Sequence, residues 1–390
     1  AERLLAVQRQ HGQDAVGMYI GNPTVHSHGA LLGLPALRKS LRTRSLFSAS
    51  SVDQWPHQFV SHFMFGHQIL FPIPDLDRCG YLLMLGANPA ASGGSLLSAG
   101  GTMKRMEAIA SRGGKTVCVD PRRTESAVRC SEHLFITPGS DALLLVGLLK
   151  VILEEDLARP DRLKALSTGW QLMQPLFADW PMEGIAEVTG ISAEDIARLA
   201  REFAGAKCAA CYGRMGVSTQ EFGALCQWLI QLLNIVTGNL DRPGGVMFST
   251  PAIDTPARSS RGHFDRYRSR VRGLPEFLGE FPAAALAEEI RTPGEGQVRA
   301  LITHAGNPVL STPNGRQLDE ALQGLDFMVS IDFYLNETTR HADLILPPVG
   351  PLERAHYDLV FNIFAVRNVA RYSPALFEPG PDARTDWEIL

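Results

Sequence analysis

The chain has 390 residues, 45% of them hydrophobic and 20% charged, with 37 basic against 41 acidic side chains and a formal net charge of −4. These values exclude wholesale disorder and leave no broad basic excess that would point to nucleic acid. The length suits two domains of roughly 150 to 200 residues, and no apolar run approaches the roughly 18 residues of a membrane span.

The first predicted strand, Val16-Gly17-Met18-Tyr19-Ile20, ends on Gly21-Asn22-Pro23. The same punctuation returns twice, with Tyr81 to Leu85 before Gly86-Ala87-Asn88-Pro89 and Leu301 to Ala305 before Gly306-Asn307-Pro308. A short apolar run reads as a buried parallel strand, Gly permits backbone conformations closed to other residues, and Asn-Pro forces a turn whose N–H groups can face an anion. In open α/β sheets, ligands sit where such turns cluster.

From 81 onward the pattern is strand, Gly/Ser-rich loop (Ser92-Gly93-Gly94-Ser95), helix over about 97–111, then a second strand, Thr116-Val117-Cys118-Val119-Asp120. A third run, Leu134-Phe135-Ile136, enters Pro138-Gly139-Ser140-Asp141, whose Ser and Asp are expected to cap a Leu-rich helix over 142–154. Helices follow at 193–205 and about 219–236, separated by the apolar stretch that includes Cys208 and Cys211. Between 249 and 297 periodicity fails, and the arginines of 258–272 predict a long surface excursion. Alternation resumes with a strand at 299–304, a helix at 315–323, a strand at 327–331 ending on Asp332, and the Ile345-Leu346-Pro347-Pro348 run. The fold class predicted is α/β, doubly wound, with mainly parallel sheets and right-handed crossovers.

Asp120 and Asp332 each follow an apolar strand, where a carboxylate can accept hydrogen bonds from ribose hydroxyls or a guanine edge. A turn or helix-cap role is the alternative for either one alone. No Walker motif, no G-x-G-x-x-G between strand and helix, and no G-x-S-x-G elbow is present. Cys208-x-x-Cys211 lacks a second pair and reads as buried thiols, while His26 and His28 read as a solvated loop. The six scattered cysteines favour free thiols in a reducing compartment, hence a cytoplasmic location. The chain starts at Ala1 without Met and stops inside a helix-like pattern at 386–390, so both ends are expected to be cut and an upstream targeting sequence would not be visible.

Taken together, Gly86-Ala87-Asn88-Pro89, Val119 to Thr124, Pro138 to Ala142, Asn234 to Leu240, Pro243-Gly244-Gly245, and Glu337 to Asp343 before Leu346-Pro347 resemble the molybdopterin oxidoreductases of the dimethyl sulfoxide reductase type, which include formate dehydrogenases and nitrate reductases. The resemblance spans nearly the whole chain. It implies a molybdenum or tungsten ion held by two molybdopterin guanine dinucleotides, one per αβα domain, with two-electron oxygen-atom or hydride-equivalent transfer on a small substrate. The domains implied are interleaved, 1–52 with 250–390, and 53–249. Gly306, Asn307 and Asp332 would serve one dinucleotide; Asn88, Asp120, Arg122, Gly139 and Asp141 would serve the other. The implied cofactor-binding set extends to Gly21, Asn22, Gly86, Pro89, Pro121, Gly213, Met215 and Thr338.

The slot of the family's metal ligand falls on Asp53, with Gln54 beside it at the catalytic position, and helix capping is the other reading of Asp53. The resemblance also implies an iron–sulfur segment with a 4Fe-4S cluster before this stretch, a barrel after it, and an electron-transfer subunit or cluster as partner. Formate is in doubt as substrate, because Asp53 stands in place of Cys or selenocysteine and Met247-Phe248-Ser249-Thr250 where an Arg is expected. Two other readings remain at this point: a metal-free scaffold subunit of a redox complex with the same fold, and an unrelated doubly wound nucleotide-binding protein.

Overall fold

A computed structural model describes residues 1–94 and 96–390; Ser95, in the expected Gly/Ser-rich loop, lies outside the described residues. The chain divides into two compact units. The first is Ala1–Trp55, Ala257–Val360 and Ala370–Leu390, and the second is Pro56–Pro256 with Phe361–Val369.

The principal strands, in chain order, are β1 (Val16–Ile20), β2 (Leu46–Ser48), β3 (Tyr81–Leu85), β4 (Lys115–Val119), β5 (Glu132–Leu134), β6 (Ala209–Gly213), β7 (Ala300–His304), β8 (Phe327–Ile331) and β9 (Leu344–Ile345). The first unit holds a five-stranded sheet in the order β9-β8-β7-β1-β2, parallel throughout. The second holds a four-stranded parallel sheet in the order β5-β4-β3-β6. Both are mixed α/β with helical crossovers, as the alternating pattern predicts.

Alternate residues of each central strand point to opposite faces, and in a sheet covered on both sides each face needs its own apolar layer. In the first unit Tyr19, Leu301 and Met328 pack with Phe47 and the helix Gly315–Leu322 on one face. Val16, Met18, Ile302 and Val329 pack with Leu4, Val7 and Leu34 on the other. In the second unit the Leu-rich helix Asp141–Glu154 buries Leu144, Leu145, Leu148 and Ile152 in one core with Phe203, Ile230 and Leu233.

Several boundaries differ from those expected, each for a local reason. The helix predicted from 97 begins at Thr102, because Gly101 takes a left-handed conformation at φ 67 immediately before it. The helix predicted from 219 begins at Gly223, after a separate turn Met215–Ser218; a Cβ at Gly223 would lie 2.1 Å from the Ser218 carbonyl oxygen. Ser140 does not cap its helix. Its hydroxyl donates to the Thr137 carbonyl, 2.7 Å, and the Asp141 carboxylate accepts instead from Gln220 Nε2, 2.9 Å. The stretch 249–297 is partly ordered as an antiparallel hairpin, Phe264–Arg268 with Pro275–Phe277, followed by the helix Leu286–Arg291. Two buried carboxylates, Glu276 and Glu289, accept from backbone N–H groups there, a device that leaves no hydrophobic period.

Candidate functional site

In each sheet the strand order reverses direction at one place. Connections from β1 step outward to β2 and those from β7 step the other way to β8 and β9, so the reversal lies between β1 and β7. In the second unit it lies between β3 and β6. Crevices at the carboxyl ends of such strands are where open α/β sheets take ligands. The residues singled out from sequence fall on these two edges. Gly21 and Asn22 follow β1, Asp53 and Gln54 come shortly after β2, Gly306 and Asn307 follow β7, and Asp332 and Thr338 follow β8. Gly86, Asn88 and Pro89 follow β3, Asp120, Pro121 and Arg122 follow β4, Gly139 and Asp141 follow β5, and Gly213 and Met215 lie at the end of β6.

Glycines stand where the strand-end turns of each sheet cross. A Cβ at Gly21 would stand 2.0 Å from the Ala305 carbonyl oxygen, and one at Gly306 would stand 2.8 Å from Gly21 Cα. A Cβ at Gly86, where φ is 53, would stand 2.7 Å from the Val217 amide nitrogen, and one at Gly216 would stand 2.7 Å from Gly86 Cα. Backbone therefore crosses backbone where no side chain can stand, and the crossings are closed by main-chain hydrogen bonds, Gly21 N to the His304 carbonyl at 2.8 Å and Gly216 N to the Gly86 carbonyl at 2.9 Å.

The two crevices share one hydrogen-bond frame. Asn88 Oδ1 accepts from Ser126 Oγ and Asn307 Oδ1 from Thr338 Oγ1, both 2.7 Å. The same hydroxyls accept from Ala90 N, 2.9 Å, and Val309 N, 3.1 Å. Asn88 Nδ2 donates to Glu125 Oε2, 2.7 Å, and Asn307 Nδ2 to Glu337 Oε2, 2.6 Å. Asp120 Oδ1 accepts from Arg122 N, 2.8 Å, and Asp332 Oδ1 from Tyr334 N, 2.9 Å. Asn88, Asn307 and Thr338 thus spend their side chains on the frame and set the turn, rather than offering those groups to a ligand. Gly213 has a similar task. Its carbonyl accepts from His57 Nε2 at 3.0 Å, and a Cβ there would strike Ile230. Sequence reasoning missed Glu125, Ser126 and Gly216; the signal was the shared spacing of Asp120…Glu125-Ser126 and Asp332…Glu337-Thr338.

Electrostatics separates the residues further. Asp120 is 9% exposed and keeps its second carboxylate oxygen outside the turn bond, while Arg122 and Arg123 beside it are exposed. Burial raises the Asp141 carboxyl above its ordinary value, against the opposing Gln220 hydrogen bond. Burial, helped by the Arg214 charge, pushes the His57 imidazole from 6.5 down to about 3. Since a carbonyl only accepts, His57 is the neutral tautomer protonated on Nε2. Behind the β1 and β7 ends lies a network also absent from the sequence reading: His304 meets Thr24 Oγ1 at 2.7 Å and Asp386 Oδ1 at 3.0 Å, and Asp386 pairs with Arg354 and Ser27. Burial alone would raise the Asp386 carboxyl, but His304 and Arg354 hold it below its usual range.

Asp53 closes the short helix Ser50–Asp53 and is half-buried. Cys211 is buried and Cys208 donates to the Arg78 carbonyl, and all six cysteines are free thiols. His26 is exposed, whereas His28 packs against the His356 and Trp387 rings. Among the described residues no group of three His, Cys, Asp or Glu could hold a metal ion, and no helix is long and apolar enough to cross a membrane.

Fold and site define a class: a protein of two doubly wound units, each with glycine-lined strand-end turns framed by an Asn-Pro turn and a strand-end Asp. Residues 1–390 match the family model described as molybdopterin oxidoreductase, and the chain belongs to that family. Its relatives include the assimilatory nitrate reductase catalytic subunit of Bacillus subtilis, 25% identical over 100% of this chain and 56% of the relative. Formate dehydrogenase H of Escherichia coli is 25% identical over 100% and 55%, and the dimethyl sulfoxide/trimethylamine N-oxide reductase of Cereibacter sphaeroides 24% over 100% and 51%. The chain therefore spans about half the length of these curated relatives. Among solved structures, acetylene hydratase from Pelobacter acetylenicus shares the fold, with a TM-score of 0.81 and 20% identity over 99% of this chain and 56% of that one.

The family implies a molybdenum or tungsten ion carried by a pterin. The residues present are compatible with such a group: glycines leave the strand-end turns clear of side chains, and buried Asp120 stands beside the exposed Arg122 and Arg123, which would suit an anionic ligand.

Proposed function

We propose that this chain is the cofactor-holding core of a molybdenum- or tungsten-dependent oxidoreductase, one molybdopterin guanine dinucleotide lying in each crevice. The observation that carries the reading is the duplicated frame at the two strand-order reversals, because a paired ligand of one chemical type calls for two sites built alike. When bound, the group supplies a metal that cycles through two electrons while a small substrate gains or loses an oxygen atom or a hydride equivalent. The chain's own residues orient it. The turns after β3 and β7 present backbone N–H groups, Arg122 and Arg123 meet diphosphate charge, Asp120 and Asp332 accept from ribose or guanine, and Asp53 offers a hard oxygen ligand to the ion.

Electrons would pass to a 4Fe-4S cluster outside this stretch. Nitrate and formate are the substrates to screen first, since the relatives include enzymes named for each. The deciding experiment counts metal and acid-released GMP in the full-length protein made in a cofactor-producing host. One metal and about two GMP per chain are expected, one nucleotide per crevice. Protein with neither would favour a metal-free scaffold and end the proposal.

A further inference from the structure

The candidate metal ligand Asp53 stands on a single helical turn, Ser50–Asp53, whose N-cap residue Ala49 offers no side-chain bond. So short a helix does not hold itself, so what aims the Asp53 carboxylate comes from outside the turn. Within the first unit the supports are two serines. Ser48, which ends β2 and is buried, accepts at Oγ from Ser50 N, 3.1 Å, and at its carbonyl from Ser51 Oγ, 3.0 Å.

Both serines are gripped by one stretch of the region where hydrophobic spacing fails. Ser48 Oγ donates to Glu280 Oε2 at 2.5 Å, and Ser51 Oγ accepts from Ala283 N at 2.8 Å. Between these contacts Phe281 N donates to the Leu46 carbonyl, 2.8 Å, and the Phe281 ring meets Phe47 at 6.1 Å between centroids. Residues 280–283 therefore run beside β2 and reach the Asp53 turn directly at Ser51 and indirectly through Ser48. Arg38 Nη2 fixes their approach by donating to the Gly279 carbonyl, 3.1 Å. Burial raises the Glu280 carboxyl, against the Ser48 bond and the Arg38 charge. Kept from water, that carboxyl relies on the Ser48 hydroxyl as much as the turn does.

We propose that Glu280 is a positioning residue for Asp53: through Ser48 it fixes the turn Ser50–Asp53, and so the direction in which the Asp53 carboxylate meets the ion. Groups that orient a metal ligand from behind typically change affinity or activity by roughly 10- to 100-fold when removed. The inference rests on the metal-ligand role proposed for Asp53 and adds the side chain that aims it.

The test uses the full-length protein from a cofactor-producing host and two readouts. The first, backbone hydrogen exchange over residues 46–55, needs no metal. Glu280→Ala is expected to speed exchange of the Gln54 amide, which bonds the Ser50 carbonyl, by about tenfold, while Glu280→Gln, whose side-chain oxygen still accepts from Ser48, keeps the wild-type rate. Ser48→Ala removes the same bond from the other side and decides the matter should Glu280→Ala not fold. The second readout is the paramagnetic resonance spectrum of the pentavalent metal, with Asp53→Ala marking the spectrum of the unligated ion. Glu280→Ala and Ser48→Ala are expected to show part of that Asp53→Ala signal, and Glu280→Gln the wild-type one. Wild-type exchange in both Glu280→Ala and Ser48→Ala overturns the inference, as does faster exchange with an unchanged spectrum, which would leave Glu280 a purely structural role. Glu280→Gln behaving like Glu280→Ala overturns the route through the Ser48 hydrogen bond. An Asp53→Ala spectrum identical to wild type overturns the ligand role of Asp53 itself, and this inference with it.

Discussion

At the scale of single residues, the strand-end turns are held by side chains bonded to one another and to backbone. Ser126 and Thr338 each donate to an Asn and accept from a backbone N–H, and both are fully buried. Ser126→Ala strands the Ala90 amide while Asn88 Oδ1 keeps the Ser126 N–H at 3.2 Å, and Thr338→Val strands both the Val309 amide and the Asn307 oxygen, so each should cost about 1–3 kcal/mol in urea unfolding, the second more than the first; an unchanged midpoint would show that the frame carries no stability. His57 gives a pH signature. Its folded value near 3 lies below the unfolded 6.5, so the unfolded chain binds the extra proton. Stability from the neutral ring is complete above 6.5 and should fall by up to ~1.4 kcal/mol per pH unit toward 3. His57→Gln should flatten that slope in thermal melts across the range, and an unaltered slope would move the effect elsewhere. The Asn-Pro turns were legible in the sequence because Gly and Pro restrict backbone directly. His304 with Asp386 was not, because a pairing between residues so far apart leaves no local pattern.

At the scale of elements, periodicity read the strands well. β1, β3 and β8 fall on the runs predicted for them, since buried parallel strands are short unbroken apolar stretches. Helix starts were read poorly wherever a glycine or a competing turn intervened, as at Thr102 and Gly223. The helix Ala193–Gly205 is the instructive success: Ser192 accepts from Asp195 N at 3.0 Å, and Ile196, Leu199, Ala200 and Phe203 are buried on one face. Ser192→Ala should destabilise the second unit by about 1 kcal/mol, read as a lower urea midpoint with unchanged slope. The hairpin at 264–277 escaped prediction because its order comes from carboxylates gripping backbone, which hydrophobic spacing cannot report.

At the scale of the whole molecule, the units are built from discontinuous chain. The excursion Phe361–Val369 belongs to the second unit, where Phe364 stacks on Phe71 at 4.9 Å and Arg367 Nη1 reaches Asp75 at 2.8 Å. Asp75 is 2% exposed; burial would raise its carboxyl, but the Gly244 amide with Arg367 and Arg78 holds it low. Arg367→Ala should therefore cost about 1–3 kcal/mol, seen in the unfolding of that unit. No shift would mean that Arg78 and Gly244 suffice.

The register Val16↔Ala300 has a consequence for how the protein is made. A ribosome adding about 5–20 residues per second needs roughly 15 to 60 s between delivering β1 and delivering the neighbour that pairs along its length. During that interval most of the second unit emerges and can close, while the N-terminal strands wait with β1 lacking one partner. Nascent chains of this protein should therefore need chaperone shelter over β1 and β2 until β7 has been delivered.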